Sequence, residues 1–193
     1  SLAAWNGYQY WQNRQAVQAA ALLDVVEQAS RAGAQARVAQ AFGDLKAKYA
    51  GTVQAAQAGL MLAKASVESG NADAAKEALT WVAGNAGDDG LKALARLRLA
   101  SVLMDQKSYD EALQQLSGSV PPEFDAVFAD RKGDVLRLQD KRSEAVAEYT
   151  KAYKALEEGM EYRRLVEVKL GALGVAPEGV AVAAAASTAQ EAK

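Results

Sequence analysis

Three stretches of this chain repeat one pattern at nearly constant spacing, and that repetition restricts the fold more than any other feature. The segments Asn71 to Leu79, Ser108 to Leu116 and Lys141 to Tyr149 each open on polar residues. Each then places a small residue (Ala75, Ala112, Ala145) and a large one four positions later (Leu79, Leu116, Tyr149). The alanines lie 37 and 33 residues apart. A second small residue stands twelve positions earlier in every case: Ala63, Ala100 and Gly133. Between the two small positions runs an apolar helical stretch ending in a polar turn, Ser69-Gly70, Gln106-Lys107 or Gln139-Asp140. A period of about 34 residues with this internal layout reads as a stacked helix–turn–helix unit. Small residues at fixed offsets mark the crossing where two antiparallel helices come too close for a longer side chain. The large residue one turn later fills the space between neighbouring units, and Ala152 continues the last pattern.

The remaining sequence is also helical in period. From Trp5 to Arg31 the only glycine is Gly7, there is no proline, and Tyr8, Trp11, Ala19, Leu22, Val26 and Ala29 recur at helical intervals. This predicts one long N-terminal helix ended by Gly33. A second helix follows, with Val38, Ala41, Phe42, Leu45 and Tyr49 on one face; Gly51 is expected as its C-cap and Thr52 as the next N-cap. A helix from about Met160 to Leu173 is expected to cap the array. Beyond Gly174 come Pro177, Gly179 and the run Ala183 to Ala186 without a periodic apolar face, which predicts disorder. The expected organisation is 1–12, the end of a truncated membrane anchor and its juxtamembrane segment; 13–174, the repeat domain, with repeats near 56–83, 93–119 and 126–157 and a capping helix 160–173; and 175–193, a disordered alanine-rich tail. No strand is expected.

Composition excludes several kinds of chemistry. The 193 residues contain no His and no Cys, so a conventional zinc site, a thiol nucleophile, a Ser-His-Asp triad and a disulfide are all ruled out. With 22 basic and 24 acidic side chains the net charge is −2, which argues against a nucleic-acid partner. Asp88-Asp89-Gly90 has the look of a calcium-loop fragment, but the position that should carry Glu is Arg96, so a turn and a helix N-cap are expected. Asp130 and Asp134 share a helix face, where an acid–base pair or divalent ligands are conceivable. The nearby Arg131 and Arg137 point instead to salt bridging. Ser108-x-x-Glu111 fits a capping box. The chain is therefore not expected to be an enzyme and needs no cofactor or metal. Four of the aromatics, Trp5, Tyr8, Tyr10 and Trp11, crowd into the first dozen residues. Such amphipathic rings suit either a membrane–water boundary or an ordinary helix core.

The repeat residues resemble the tetratricopeptide repeat. That resemblance implies an all-α, right-handed helical solenoid, here with a long N-terminal helix, whose first helices line a concave groove. Leu60, Lys64 and Val67, then Leu97, Ser101 and Met104, then Asp130, Asp134 and Arg137 occupy the groove positions, grading from apolar to charged. A groove of this kind suits an extended or helical segment of a protein partner. The accessibility of Leu97 and Met104 within the domain decides whether those two are docking residues.

Three further stretches resemble the YfgM family of ancillary SecYEG translocon subunits: Trp5 to Gln15 (juxtamembrane segment), Leu91 to Ala100 (central helix) and Ala129 to Asp134 (start of the last repeat). The resemblance implies an inner-membrane protein of a Gram-negative bacterium, single-pass, with a membrane anchor absent from this chain and the repeat domain in the periplasm. Its implied partners are translocon subunits, a periplasmic chaperone of the prolyl-isomerase type and unfolded export clients, the chain acting as scaffold or co-chaperone in protein export. A soluble periplasmic adaptor for cell-envelope or cell-division enzymes remains the alternative.

Overall fold

The computed structural model describes residues 2–176; the tail expected to be disordered falls almost wholly outside them, as do the side chains of Tyr8 and Trp11. Nine α-helices and one 3-10 turn make up the regular structure of the described residues, with no strand among them. The chain divides between Gln115 and Leu116 into two compact units. The first contains α1 (Leu2–Arg31), α2 (Gln35–Lys48), α3 (Val53–Glu68), α4 (Ala72–Asn85), α5 (Asp89–Asp105) and α6 (Tyr109–Gln115). The second contains a 3-10 turn (Pro122–Phe124), α7 (Asp125–Leu138), α8 (Arg142–Ala155) and α9 (Glu161–Ala172). Within the first, each helix packs on the next, and α3 also packs on both α1 and α5. Within the second, α7 packs on α8 and α8 on α9.

The small-residue positions lie where the repeat places them. Ala75, Ala100, Ala112 and Ala145 are fully buried and Ala63 is nearly so. Gly133 shows the reason. A Cβ there would stand 2.5 Å from two carbons of the Tyr149 ring, closer than any real contact. The ring of the large position thus rests on the bare backbone of the small one, and Tyr149 is fully buried. Gly59 plays the same part where α2, α3 and α4 meet: its Cβ would lie 2.5 Å from Val82 Cγ2 and 3.0 Å from Phe42 Cε2. Phe42 meets Trp81 edge-on at 5.3 Å between centroids, closing the outer side of that crossing.

One turn design joins the helices of every pair. Gly70, Lys107 and Asp140 all adopt left-handed backbone, with φ of 76°, 60° and 59°. In each case the following amide donates back across the turn: Asn71 to the Ser66 carbonyl at 2.8 Å, Ser108 to Leu103 at 2.8 Å, Lys141 to Leu136 at 2.9 Å. Gly33 and Gly174 repeat the arrangement after α1 and α9. This is the Schellman closure, which satisfies carbonyls that a helix end leaves unpaired. Gly51, by contrast, is not a left-handed cap: α2 stops at Tyr49, whose amide bonds the Leu45 carbonyl. Side chains start the next helices. Thr52 Oγ1 accepts from the Ala55 amide at 3.2 Å, Asn71 Oδ1 from Ala74 at 3.1 Å and Asp88 Oδ1 from Leu91 at 2.8 Å. The Asp88 carboxylate is therefore a helix cap.

Two substitutions separate these effects. Gly133→Ala forces the Tyr149 ring to move and should destabilise the chain by about 1–3 kcal/mol. Lys107→Gly relieves a left-handed non-glycine residue and should stabilise it by about 0.5–1 kcal/mol. Urea titrations of both variants check the opposite signs.

Candidate partner-binding surface

In the first unit the expected groove residues lie on α3 and α5, the two adjacent first helices. Leu60, Lys64 and Val67 follow one another at intervals of four and three, as do Leu97, Ser101 and Met104, so each trio shares a helix face. The two trios do not contribute equally. Leu60 and Leu97 are only 6% and 8% exposed, so they belong to the packed interior and offer little to a partner. Leu60 of α3 shares a cavity wall with Leu23 and Glu27 of α1, and Leu97 belongs to α5, which packs on α3, α4 and α6. Val67 is 51% exposed, Lys64 is exposed, and Met104 and Ser101 are half-buried. Ser101 Oγ donates to the Leu97 carbonyl at 3.1 Å, one turn back on its own helix.

Two cavities open on this face. One of about 370 Å³ is lined by Leu23 and Glu27 of α1, Gln57, Leu60, Met61 and Lys64 of α3, and Arg98 of α5. The other, about 340 Å³, is bounded by Ala63, Lys64, Val67 and Glu68 of α3, Leu79 of α4, and Arg98, Ser101, Val102 and Asp105 of α5. Sequence reasoning had not singled out Arg98, which lines both cavities, nor Leu23 and Glu27, which α1 brings alongside α3. The one-residue offset of Arg98 from Leu97 carries the former to the open face while the latter turns inward.

In the second unit the expected residues form something else. Asp130 is buried, and both its oxygens accept from Lys169 Nζ, at 2.7 and 2.8 Å. The same ammonium lies 2.8 Å from Asp134 Oδ1. Tyr162 donates its hydroxyl to Asp130 at 2.7 Å and Tyr149 donates to Asp134 at 2.8 Å. Lys169 also stands 5.4 Å from the centre of the Tyr149 ring. Burial, followed by the adjoining carboxylates, raises the pKa of both phenols well above the ordinary tyrosine range, so they remain hydroxyl donors. The cation that holds Asp130 and Asp134 together is thus Lys169 of α9, 39 residues along from Asp130. Their role is to fasten α9 to α7. Arg137 lies at the exposed end of α7. On α9 itself, Leu165 and Val168 remain 50% and 68% exposed.

Among the described residues no cluster of three or more acidic, His or Cys side chains is placed to hold a metal ion. No helix among them is long and apolar enough to cross a membrane. Trp5 and Tyr10, near the start of α1, are 61% and 69% exposed, so neither ring is a core residue of the first unit.

Comparison with known proteins agrees with this architecture. The family described as tetratricopeptide repeat-like domain matches residues 1–175. A protein of Neisseria gonorrhoeae named ancillary SecYEG translocon subunit is 36% identical over 171 residues, which cover 86% of this chain and 82% of that protein.

The network in the second unit makes a quantitative demand. Lys169→Met leaves Asp130 buried beside a second carboxylate with no ammonium between them. The variant should lose about 3 kcal/mol of stability by chemical denaturation. A loss below about 1 kcal/mol would mean that the Lys169 ammonium is not what fastens α9, leaving its apolar contacts and the Tyr162–Asp130 hydrogen bond to hold it.

Proposed function

This chain belongs to the tetratricopeptide repeat-like family of ancillary SecYEG translocon subunits, the YfgM family, and on that premise we propose that it is a non-catalytic docking subunit of the protein-export channel. In this reading it is tethered to the inner membrane at the α1 end and presents its helix pairs in the periplasm. There it joins translocon subunits to a chaperone of the prolyl-isomerase type and to unfolded export clients.

The observation that carries the reading is the α3–α5 face. It combines an apolar floor, two adjoining cavities and partly exposed aliphatic side chains at Val67 and Met104. Such a surface suits a segment of another protein, with apolar burial supplying most of the affinity. The exposed rings of Trp5 and Tyr10 support the tether, since amphipathic aromatics favour the interface between lipid and water. Asp130 and Asp134 belong to internal packing in this scheme; Lys64, Val67, Ser101 and Met104 keep the docking role.

The test is recovery of SecYEG with the chain from detergent-solubilised membranes. Val67→Asp combined with Met104→Gln should lower that recovery about tenfold, at about 0.7 kcal/mol per altered side chain. The helical circular-dichroism signal should stay unchanged, because neither side chain is fully buried. Full recovery with the double variant would remove the α3–α5 face from the interaction.

A further inference from the structure

The two cavities of the first unit meet at one pair of cationic side chains. Lys64 and Arg98 line both of them. Leu60 and Met61 belong to the first cavity alone, and Val67 and Val102 to the second alone, so aliphatic surface lies on either side of the shared cations. Neither cation is well neutralised within the unit. Lys64 reaches Glu68 only at 3.9 Å, with the two side chains 71% and 65% exposed. Arg98 is exposed and pairs with no carboxylate among the described residues.

The acidic lining residues are arranged differently. Glu27 borders the first cavity only, and Glu68 and Asp105 the second only. Lys64 and Arg98 are thus the only side chains of either sign shared by both linings; Glu68 stands beside Lys64 as an exposed, weak ion pair, while Glu27 and Asp105 each border a single cavity. A polyanion would have to carry its charges past Glu27, Glu68 or Asp105. A single acidic position between two apolar ones matches the surface without that repulsion.

We propose that Lys64 and Arg98 select the partner: the α3–α5 face takes an amphipathic protein segment that places a side-chain carboxylate at their junction and an aliphatic anchor in each cavity. This rests on the docking role proposed above for that face. The aliphatic anchors supply affinity, and the charge fixes register and discriminates among segments. Arg98 offers a planar fork to a carboxylate while Lys64 contributes a mobile point charge. Both are exposed, so their selectivity is modest and sensitive to salt.

Labelled synthetic peptides and fluorescence anisotropy on the full chain test this. One peptide carries leucines on either side of central glutamates; a second has glutamines, and a third lysines, at the centre. The wild-type chain should bind the glutamate peptide about fivefold more tightly than the glutamine peptide at low ionic strength. That preference should vanish in high salt and in Lys64→Gln with Arg98→Gln. The charge-reversed variant, Lys64→Glu with Arg98→Glu, should favour the lysine peptide. Equal affinity of the wild type for glutamate and glutamine peptides, no binding of either, or a preference that survives neutralisation overturns the proposal. The SecYEG recovery assay reads Val67 and Met104 instead. Lost recovery there with no glutamate preference here removes only the carboxylate; retained recovery removes the docking face itself.

Discussion

Everything in this chain depends on how closely two antiparallel helices approach within a pair. At the α7–α8 crossing there is no room for even one methyl group at Gly133, because the Tyr149 ring already lies against the backbone. In the other pairs alanine holds the equivalent place, buried to the same degree. Close approach turns modest side chains into a packed interior. It explains how a chain with 44 alanines and only 13 aromatics can bury a core. Alanine contributes little apolar area by itself. It lets large residues such as Leu79 and Leu103 meet backbone and neighbouring side chains at full contact.

The turns obey the same constraint. A chain that must reverse within three residues and lay the next helix beside its predecessor needs one left-handed residue at the bend. Gly70 adopts that conformation freely, whereas Lys107 and Asp140 adopt it at a cost of about 1 kcal/mol each. The tertiary crossing overrides the local preference at these two positions. Polar groups then divide into two kinds. Those at helix starts, such as Thr52, Asn71 and Asp88, satisfy backbone amides. Those at Asp130, Asp134 and Lys169 satisfy one another inside the second unit.

The repeat, the helix order and the bends were legible in the sequence because they are local. A period of 3.6, a small residue at a fixed offset and a polar turn all occur within about forty residues. The cap at Thr52 was legible for the same reason, while Gly51 misled because a glycine after a helix marks a break without adopting left-handed backbone. The candidate site was legible only in part. Helical spacing placed Leu60 and Leu97 on the groove face, but a face is wide, and only packing against α1, α4 and α6 decides which edge of it stays open. Arg98, one position on, was hidden by that ambiguity. The partner of Asp130 was illegible for a different reason. Arg131 and Arg137 are nearer in sequence, yet the ammonium that arrives is on a helix brought back by tertiary structure. No spacing rule announces a pairing across 39 residues.

That pairing changes the dynamics of the chain's last helix. A terminal helix packed on one side normally opens and closes independently of the rest, and its amides exchange with solvent first. Here opening α9 would strip three hydrogen-bonded contacts from one ammonium and expose two carboxylates that share it. Local fraying of α9 is therefore coupled to disruption of α7 and of the Tyr149 contact beneath it. The helix should therefore exchange its amides with the second unit's cooperative opening, its end closed by a latch where a repeat structure would otherwise have its softest edge.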